Sequence, residues 1–242
     1  MIELSILIPA YNAGKFLAQT LASVRELLLA QPTFELILVD DGSADDTVSI
    51  AESFKNSIPR YTILTLPKNR GKGYALRMAM QKTQGDLVVF TDADLPYGLT
   101  PIVSMLAVMK REEDLFLLYG SRSHENSKVQ QGYTLLRKFG RMFFSVVIRT
   151  FIVSRVVDTQ CGIKMFRGAL ARAIVERGVV DRFAFDIECF MIAKARGWRY
   201  ADFPVALNHR KESSVRIVRD TLCILGDIVL INLRYLRGRY TN

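Results

Sequence analysis

Two aspartates, Asp92 and Asp94, flank a single alanine, Ala93, just past the apolar run Leu87-Val88-Val89-Phe90. On extended backbone, residues two apart point to the same side, so the two carboxylates converge. Their repulsion is tolerable when a divalent cation sits between them and an anionic ligand. Hard cations prefer oxygen ligands and bridge one or two carboxylates to substrate phosphates. The bland alternative is a solvated turn whose aspartates cap the next helix. Thr100-Pro101 already supplies that opening, with Thr as cap and Pro in the first turn.

Three more polar clusters invite the same question: Pro9-Ala10-Tyr11-Asn12, Asp40-Asp41-Gly42-Ser43 and Lys68-Asn69-Arg70-Gly71-Lys72-Gly73. The second could be a plain turn, because Asp, Gly and Ser dominate turns. Asp45 and Asp46 follow and can cap the next helix, which leaves Asp40 and Asp41 as spare acceptors for a base or a ribose. The third resembles a phosphate cradle, with glycines for close approach, outward helix amides, and Arg70 and Lys72 for charge. A surface turn with solvated charges explains that segment equally well by itself. It matches neither the Walker loop nor a complete G-x-G-x-x-G fingerprint, so a nucleoside triphosphatase or a dehydrogenase lacks its defining loop.

Four strands are expected to carry these clusters at their carboxyl ends: Leu4–Ile8, Glu35–Val39, Tyr61–Leu66 and Leu87–Thr91. A fifth is expected over Leu115–Tyr119. Helical stretches over Gly14–Ala30, Asp45–Phe54, Gly71–Thr83 and Pro101–Arg111 separate them. Strands alternating with helices predict a mostly parallel, doubly wound α/β sheet, which binds ligands at the carboxyl ends of its strands. Beyond residue 120 the pattern loosens. A basic amphipathic stretch (Tyr133–Val157) precedes a short run over Ile163–Phe166. Then follow a helix over Asp186–Arg196, a strand over Tyr200–Leu207 and a long helix over Ser214–Leu236. No repeat or linker divides the chain. It reads as one domain in three parts, residues 1–125, 126–213 and a C-terminal amphipathic helix over 214–242.

Composition narrows the partners. The 242 residues carry 33 Lys and Arg against 24 Asp and Glu, a net +9 that suits nucleic acid, a nucleotide or an anionic membrane face. Half the residues are hydrophobic, which sets aside intrinsic disorder. Three scattered cysteines, Cys161, Cys189 and Cys223, fit a reducing compartment rather than a disulfide framework or a zinc knot. The opening MIELSILIPAYN reads as a strand and implies no signal peptide. The apolar segments Phe143–Val157 and Leu222–Leu233 are broken by Arg149, Arg155 and Asp227, so neither reaches the roughly 18 apolar residues of a membrane span. The two histidines, His124 and His209, suggest no metal site.

In order and spacing, IPAYN, VDDGSADDT, KNRGKGYALRMAM and TDADL resemble glycosyltransferase family 2, the nucleotide-sugar enzymes of GT-A fold. The likeness covers about the first 125 residues, ending with Gly120-Ser121-Arg122, and implies a nucleotide-sugar-binding half over 1–125 and an acceptor half over 126–213. It implies a nucleotide-diphosphate sugar donor and a Mg²⁺ or Mn²⁺ ion. Asp94 would be the principal metal ligand, with Asp92 near the ribose and sugar. Pro9, Tyr11, Asp40 and Asp41 would line the base and ribose, and Lys72 and Ala93 the donor pocket. Asp158-Thr159-Gln160-Cys161-Gly162-Ile163-Lys164-Met165-Phe166, Phe185-Asp186-Ile187-Glu188, Phe203-Pro204-Val205 and the closing Ser213–Asp220 resemble the dolichyl/polyprenyl-phosphate β-glucosyltransferase branch. Eukaryotic members of that branch begin with a membrane anchor, which this sequence does not show, and His209-Arg210 is more basic than the branch pattern.

The resemblance implies inverting transfer of a hexose, glucose for this branch, from a UDP-sugar. The metal, helped by Lys72 or Arg122, would stabilise the charge growing on the leaving diphosphate. A hydroxyl acceptor needs a carboxylate base. Asp186 is the candidate, then Glu188, with Asp158 expected at the acceptor mouth. A lipid phosphate is already ionised, its second pKa being about 6, so Asp186 then only orients a group. Pairing of Asp158 or Asp186 with Arg167 or Arg182 is the structural alternative. Arginines studding the amphipathic stretches (Arg137, Arg141, Arg149, Arg155; Arg216, Arg219, Arg234, Arg237, Arg239, with Lys138) suit an interfacial helix on anionic headgroups, whereas core packing or dimer formation is the alternative. The expectation is a peripheral enzyme on the cytoplasmic face of a membrane acting on polyprenyl phosphate. A family 2 transferase acting on a saccharide hydroxyl is the second reading. A basic nucleic-acid-binding protein is the third, disfavoured because no aromatic-basic strand motif appears.

Overall fold

The computed structural model describes residues 1–129, 156, 158–207 and 217–241. The predicted basic stretch Tyr133–Val157, apart from Val156, lies outside them, as do His209, Arg210 and the start of the last helix.

The first four strands form as the sequence predicts: β1 (Leu4–Ala10), β2 (Phe34–Asp40), β3 (Tyr61–Thr65) and β4 (Leu87–Thr91). They alternate with α1 (Gly14–Ala30), α2 (Thr47–Ser53), α3 (Lys72–Met80) and α4 (Thr100–Arg111). Then come β5 (Leu115–Ser121), β6 (Lys128–Val129), β7 (Ile163–Arg167), α5 (Gly168–Arg177), α6 (Phe185–Ala195), β8 (Arg199–Pro204), β9 (Ala206–Leu207) and α7 (Ile217–Leu236). Seven strands make one sheet in the order β3-β2-β1-β4-β7-β5-β8, and β6 pairs with β9 in a separate ribbon. All neighbours in the main sheet run parallel except β7, which is antiparallel to both β4 and β5.

Alternating side chains bury both faces. On one face Ile6, Ile8, Val89, Leu118 and Met165 pack under α1 and α4. On the other, Leu7, Phe90, Leu117 and Phe166 pack under α3, α5 and α6, with Ile228 and Ile231 of α7 joining them. Covered on both sides, β2 is buried along its whole length, Glu35 and Asp40 at its ends included.

Three local expectations need correction. Thr100 does not cap α4: the helix starts on Thr100 itself, and Leu99 at the cap position makes no side-chain cap bond. The predicted strand Tyr200–Leu207 is split at Val205, so its ends pair with different partners, β5 and β6. Helix α5, which the sequence pattern does not announce, follows β7 without a loop.

Candidate active site

Parallel β1, β2 and β4 end on one edge of the sheet, and their loops are tied to one another. After β1, Asn12 takes a positive φ of 50°. Its N–H donates to Ser43 Oγ at 2.8 Å, and its Oδ1 accepts Ala44 N–H at 2.9 Å. Asp45 accepts Gly14 N–H at 2.9 Å and the Thr47 hydroxyl at 2.5 Å. Pro9 is half-buried in β1, and Tyr11 is half-exposed.

Asp40 and Asp41, at the end of β2, already accept hydrogen bonds from the loops around them. Asp40 Oδ2 accepts Ser43 N–H at 3.2 Å. Asp41, almost fully buried, accepts Arg70 N–H at 2.7 Å on one oxygen and Gly71 N–H at 2.8 Å on the other. The expected phosphate cradle after β3 therefore gives two of its amides to a carboxylate of the same protein. Burial pushes the Asp41 carboxyl above its ordinary value, the Arg70 and Gly71 amides oppose that, and Asp40 adds to it. Gly71 makes the loop possible: its φ is +109°, and a Cβ would lie 2.5 Å from the Asp181 carbonyl oxygen.

At the end of β4, Thr20 Oγ1 of α1 donates to the Ala93 carbonyl at 2.7 Å and anchors the aspartate pair. Asp92 Oδ1 accepts from Lys72 Nζ of α3 at 2.6 Å, and Asp94 is half-buried beside it in sequence. Burial disfavours the Lys72 ammonium, but Asp92 and then Asp186 outweigh burial and hold its pKa above the ordinary lysine value. Lys72 is thus a fixed positive charge, not a base.

Antiparallel β7 brings its beginning to this same edge, because Ile163 lies opposite Thr91. The preceding Gly162 accepts Asp92 N–H at 3.2 Å, and a Cβ on Gly162 would sit 1.8 Å from Asp92 Oδ2. The sequence motif contains Gly162 without giving it a task; only the contact with Asp92 reveals one. At the end of β5, Arg122 forks onto the buried Asp158, with Nε to Oδ2 at 2.8 Å and Nη2 to Oδ1 at 2.7 Å. The Arg122 backbone N–H adds a third bond at 2.9 Å. Burial works against the guanidinium, but Asp158 holds its pKa above the ordinary value.

The acids of α6 are engaged as well. Asp186 pairs with Lys164 of β7, and both side chains are buried. Glu188, the second-choice base, accepts Val179 and Val180 N–H at 3.0 Å and the Tyr240 hydroxyl at 2.8 Å. It is 1 % exposed and holds the turn before α6. Arg167, a predicted partner for Asp158 or Asp186, instead donates to the carbonyls of Leu115, Met109 and Glu112.

No cluster of three or more metal-binding side chains occurs among the described residues. A magnesium-like ion needs only one or two carboxylates when substrate phosphates and water complete its shell. Asp92 and Asp94 supply two carboxylates after β4, one of them bonded to Lys72.

A mostly parallel sheet with one reversed strand, wound on both faces and carrying acids after β4, has the architecture of the GT-A fold. Solved structures of that architecture superpose on it: Mycobacterium tuberculosis glucosyl-3-phosphoglycerate synthase aligns with a TM-score of 0.70 at 19 % identity, covering 96 % of this chain and 81 % of that one. Staphylococcus aureus TarS 1-349, solved in complex with UDP-GlcNAc, aligns with a TM-score of 0.63 at 18 % identity, covering 95 % and 66 %. The Glycosyl transferase family 2 model matches residues 5–174, and the chain belongs to that family. It is similar to the dolichyl-phosphate beta-glucosyltransferase of Homo sapiens, at 32 % identity over 257 residues, 98 % of this chain and 77 % of that protein. The Drosophila melanogaster enzyme of the same name is 31 % identical over 254 residues, covering 99 % and 77 %.

Proposed function

We propose that this glycosyltransferase moves glucose from UDP-glucose to a dolichyl or other polyprenyl phosphate, with inversion, at the cytoplasmic face of a membrane. The observation that carries the reading is the similarity to dolichyl-phosphate beta-glucosyltransferases along nearly the whole chain, acceptor half included.

The donor's uracil and ribose would lie over Pro9, Tyr11, Asp40 and Asp41, whose carboxylates keep unused lone pairs. Its diphosphate and sugar would face Lys72, Ala93, Asp92 and Asp94. Asp94, with Asp92 as second ligand, would hold Mg²⁺ or Mn²⁺, which supplies Lewis-acid stabilisation of the departing diphosphate. An acceptor phosphate oxygen attacks the anomeric carbon, the bond from that carbon to the diphosphate oxygen breaks, and UDP leaves with the electron pair. No proton needs removal, because the acceptor is already anionic near neutral pH. Arg122 stands at the edge of this space as a second fixed charge, its guanidinium oriented by Asp158. A hydroxyl acceptor would require a carboxylate free to take a proton. Asp186 is engaged by Lys164 and Glu188 by backbone amides, which favours the phosphate acceptor.

Membrane contact is assigned to α7. No described helix is long and apolar enough to cross a membrane. Yet Val229, Leu230, Leu233 and Leu236 of α7 are 43–79 % exposed, at the spacing of one helical face, and Arg237 and Arg239 follow. Such a face suits the headgroup boundary, with arginines on anionic lipid.

The test offers the purified enzyme a panel of nucleotide sugars with dolichyl phosphate, with and without chelator. Formation of dolichyl phosphate glucose and UDP, abolished by chelator and restored by Mg²⁺ or Mn²⁺, is expected. Transfer to a saccharide hydroxyl with none to the lipid would overturn the acceptor assignment. Chelator-resistant transfer would overturn the metal.

A further inference from the structure

A lysine with no exposed side-chain surface is uncommon, and Lys164 is one, in a strand where Ile163, Met165 and Phe166 are core. Antiparallel pairing sets it opposite Phe90 on one side and Tyr119 on the other. Its ammonium donates to the Cys161 carbonyl at 2.8 Å and to Asp186 Oδ1. It also lies 5.2 Å from the centre of the Phe90 ring and 5.9 Å from that of Phe190. Lys72 lies 5.0 Å from the centre of the same Phe90 ring while bonded to Asp92. Two cation–carboxylate pairs thus share one aromatic ring: Lys72 with Asp92 at the donor site, and Lys164 with Asp186 beneath it. Lys72 feels the Asp186 charge as well as that of Asp92.

We propose that Lys164 is a positioning residue for the donor site: by engaging Asp186 it leaves Lys72 to Asp92, and through the Cys161 carbonyl it holds the turn that sets Gly162 against Asp92. The inference rests on the donor reading given above. Coulomb attraction at a few ångströms in a poorly solvated interior is strong enough to decide which carboxylate a lysine serves. With Lys164 removed, the Asp186 carboxylate loses its partner, and a buried unpaired charge is among the costliest states a core can hold. Lys72 is the other ammonium within its influence. Drawing Lys72 toward Asp186 strips Asp92 of its cation and disturbs the seat of the donor diphosphate. Asp186 therefore orients charge, and its own removal also harms the site, because Lys164 is then the unpaired group.

The test is a double-mutant cycle on the full chain with UDP affinity measured by calorimetry with Mn²⁺ present and unfolding followed in the same samples. Lys164→Met is expected to weaken UDP binding at least tenfold and to lower the unfolding midpoint by about 10 °C. Asp186→Asn alone is expected to weaken binding also. Lys164→Met/Asp186→Asn, which removes both charges together, is expected to recover most of the lost affinity and midpoint. Should Lys164→Met alone not fold, the double variant decides: recovered UDP binding supports the positioning role. A double variant that folds yet binds UDP no better than either single variant overturns it. So does a folded Lys164→Met that binds UDP like the unsubstituted chain. An unsubstituted chain that binds no UDP at all overturns the donor reading instead.

Discussion

Replacing Gly162 by alanine adds one methyl group against Asp92 of the proposed donor site, and the space around it sets the size of the effect. A Cβ there would meet Asp92 Oδ2 at 1.8 Å and Asp92 Cγ at 2.7 Å, so the carboxylate oxygen must retreat by about 1.6 Å to reach ordinary van der Waals contact. The glycine lies outside the left-handed region, so alanine imposes no backbone strain of its own. What yields is the Asp92 side chain, whose displacement into an off-rotamer costs about 1 kcal/mol. For a chain of this size that is a midpoint change of no more than about 5 °C. Function responds differently. Asp92 Oδ1 is held by Lys72 at 2.6 Å, and turning the carboxylate breaks that pair and moves the acid out of register with the donor. A misplacement of this size lowers kcat/KM by about 100-fold, equivalent to about 2.7 kcal/mol of transition-state stabilisation. UDP release from UDP-glucose in the presence of dolichyl phosphate provides the assay, and thermal unfolding the control. A Gly162→Ala enzyme with undiminished kcat/KM would refute the premise that Asp92 orientation matters. A collapsed midpoint would refute the premise that only a side chain gives way.

Arg122→Met leaves the buried Asp158 without its fork and should cost about 3 kcal/mol in urea unfolding, with Asp158→Asn/Arg122→Met less destabilised than the single variant. An additive cycle would show that the pair is not coupled. Asp45→Ala loses acceptors for Gly14, the Thr47 amide and the Thr47 hydroxyl and should cost about 1 kcal/mol near neutral pH. Burial alone would raise the Asp45 carboxyl, but these hydrogen bonds outweigh it and the folded-state pKa lies below the ordinary value. Its contribution is thus complete above the unfolded-state pKa and is lost as pH falls through the folded one, so the stability gap between the two proteins should close below about pH 4. On α7, Leu233→Glu/Leu236→Glu should abolish co-flotation with anionic vesicles while leaving UDP affinity intact. Undiminished flotation would remove that helix from the membrane reading.

Elements whose signal is local were legible in the sequence. The strands from Leu4 to Tyr119 and the helices between them announce themselves by apolar runs and periodicity, and polar clusters mark where they end. Less legible was anything set by what meets in space. Asp40 and Asp41 looked like idle acceptors, because nothing near them in the chain signals that Arg70 and Gly71 will present amides to Asp41. The pairing of Asp186 was hidden, because its partner, Lys164, lies 22 residues earlier on a strand of unforeseen direction. One clue to that partner was present: a lysine inside Ile163-Lys164-Met165-Phe166, where alternation places it on a face with Phe166, must find a countercharge. Helix α5 was missed because it begins on Gly168 directly after Arg167, with no loop between it and β7.

The reversal of β7 brings residues from both parts of the sequence to one edge of the sheet. A parallel strand between β4 and β5 would end at the donor edge and begin at the far side, and the residues before it would lie remote from Asp92. Running the other way, β7 begins at that edge, so the segment leading into it is delivered there first. Asp158 reaches Arg122 at the end of β5, Gly162 closes on Asp92 at the end of β4, and Lys164 descends one step further to engage Asp186 on α6. A run of seven residues thereby touches the ends of two strands and the first turn of a helix. Shifting its register by one residue would exchange the faces of Lys164 and Met165, placing a charge among the α1 and α4 core residues and leaving Asp186 unpaired. The strand order and the chemistry of the site are therefore a single constraint on this stretch of chain.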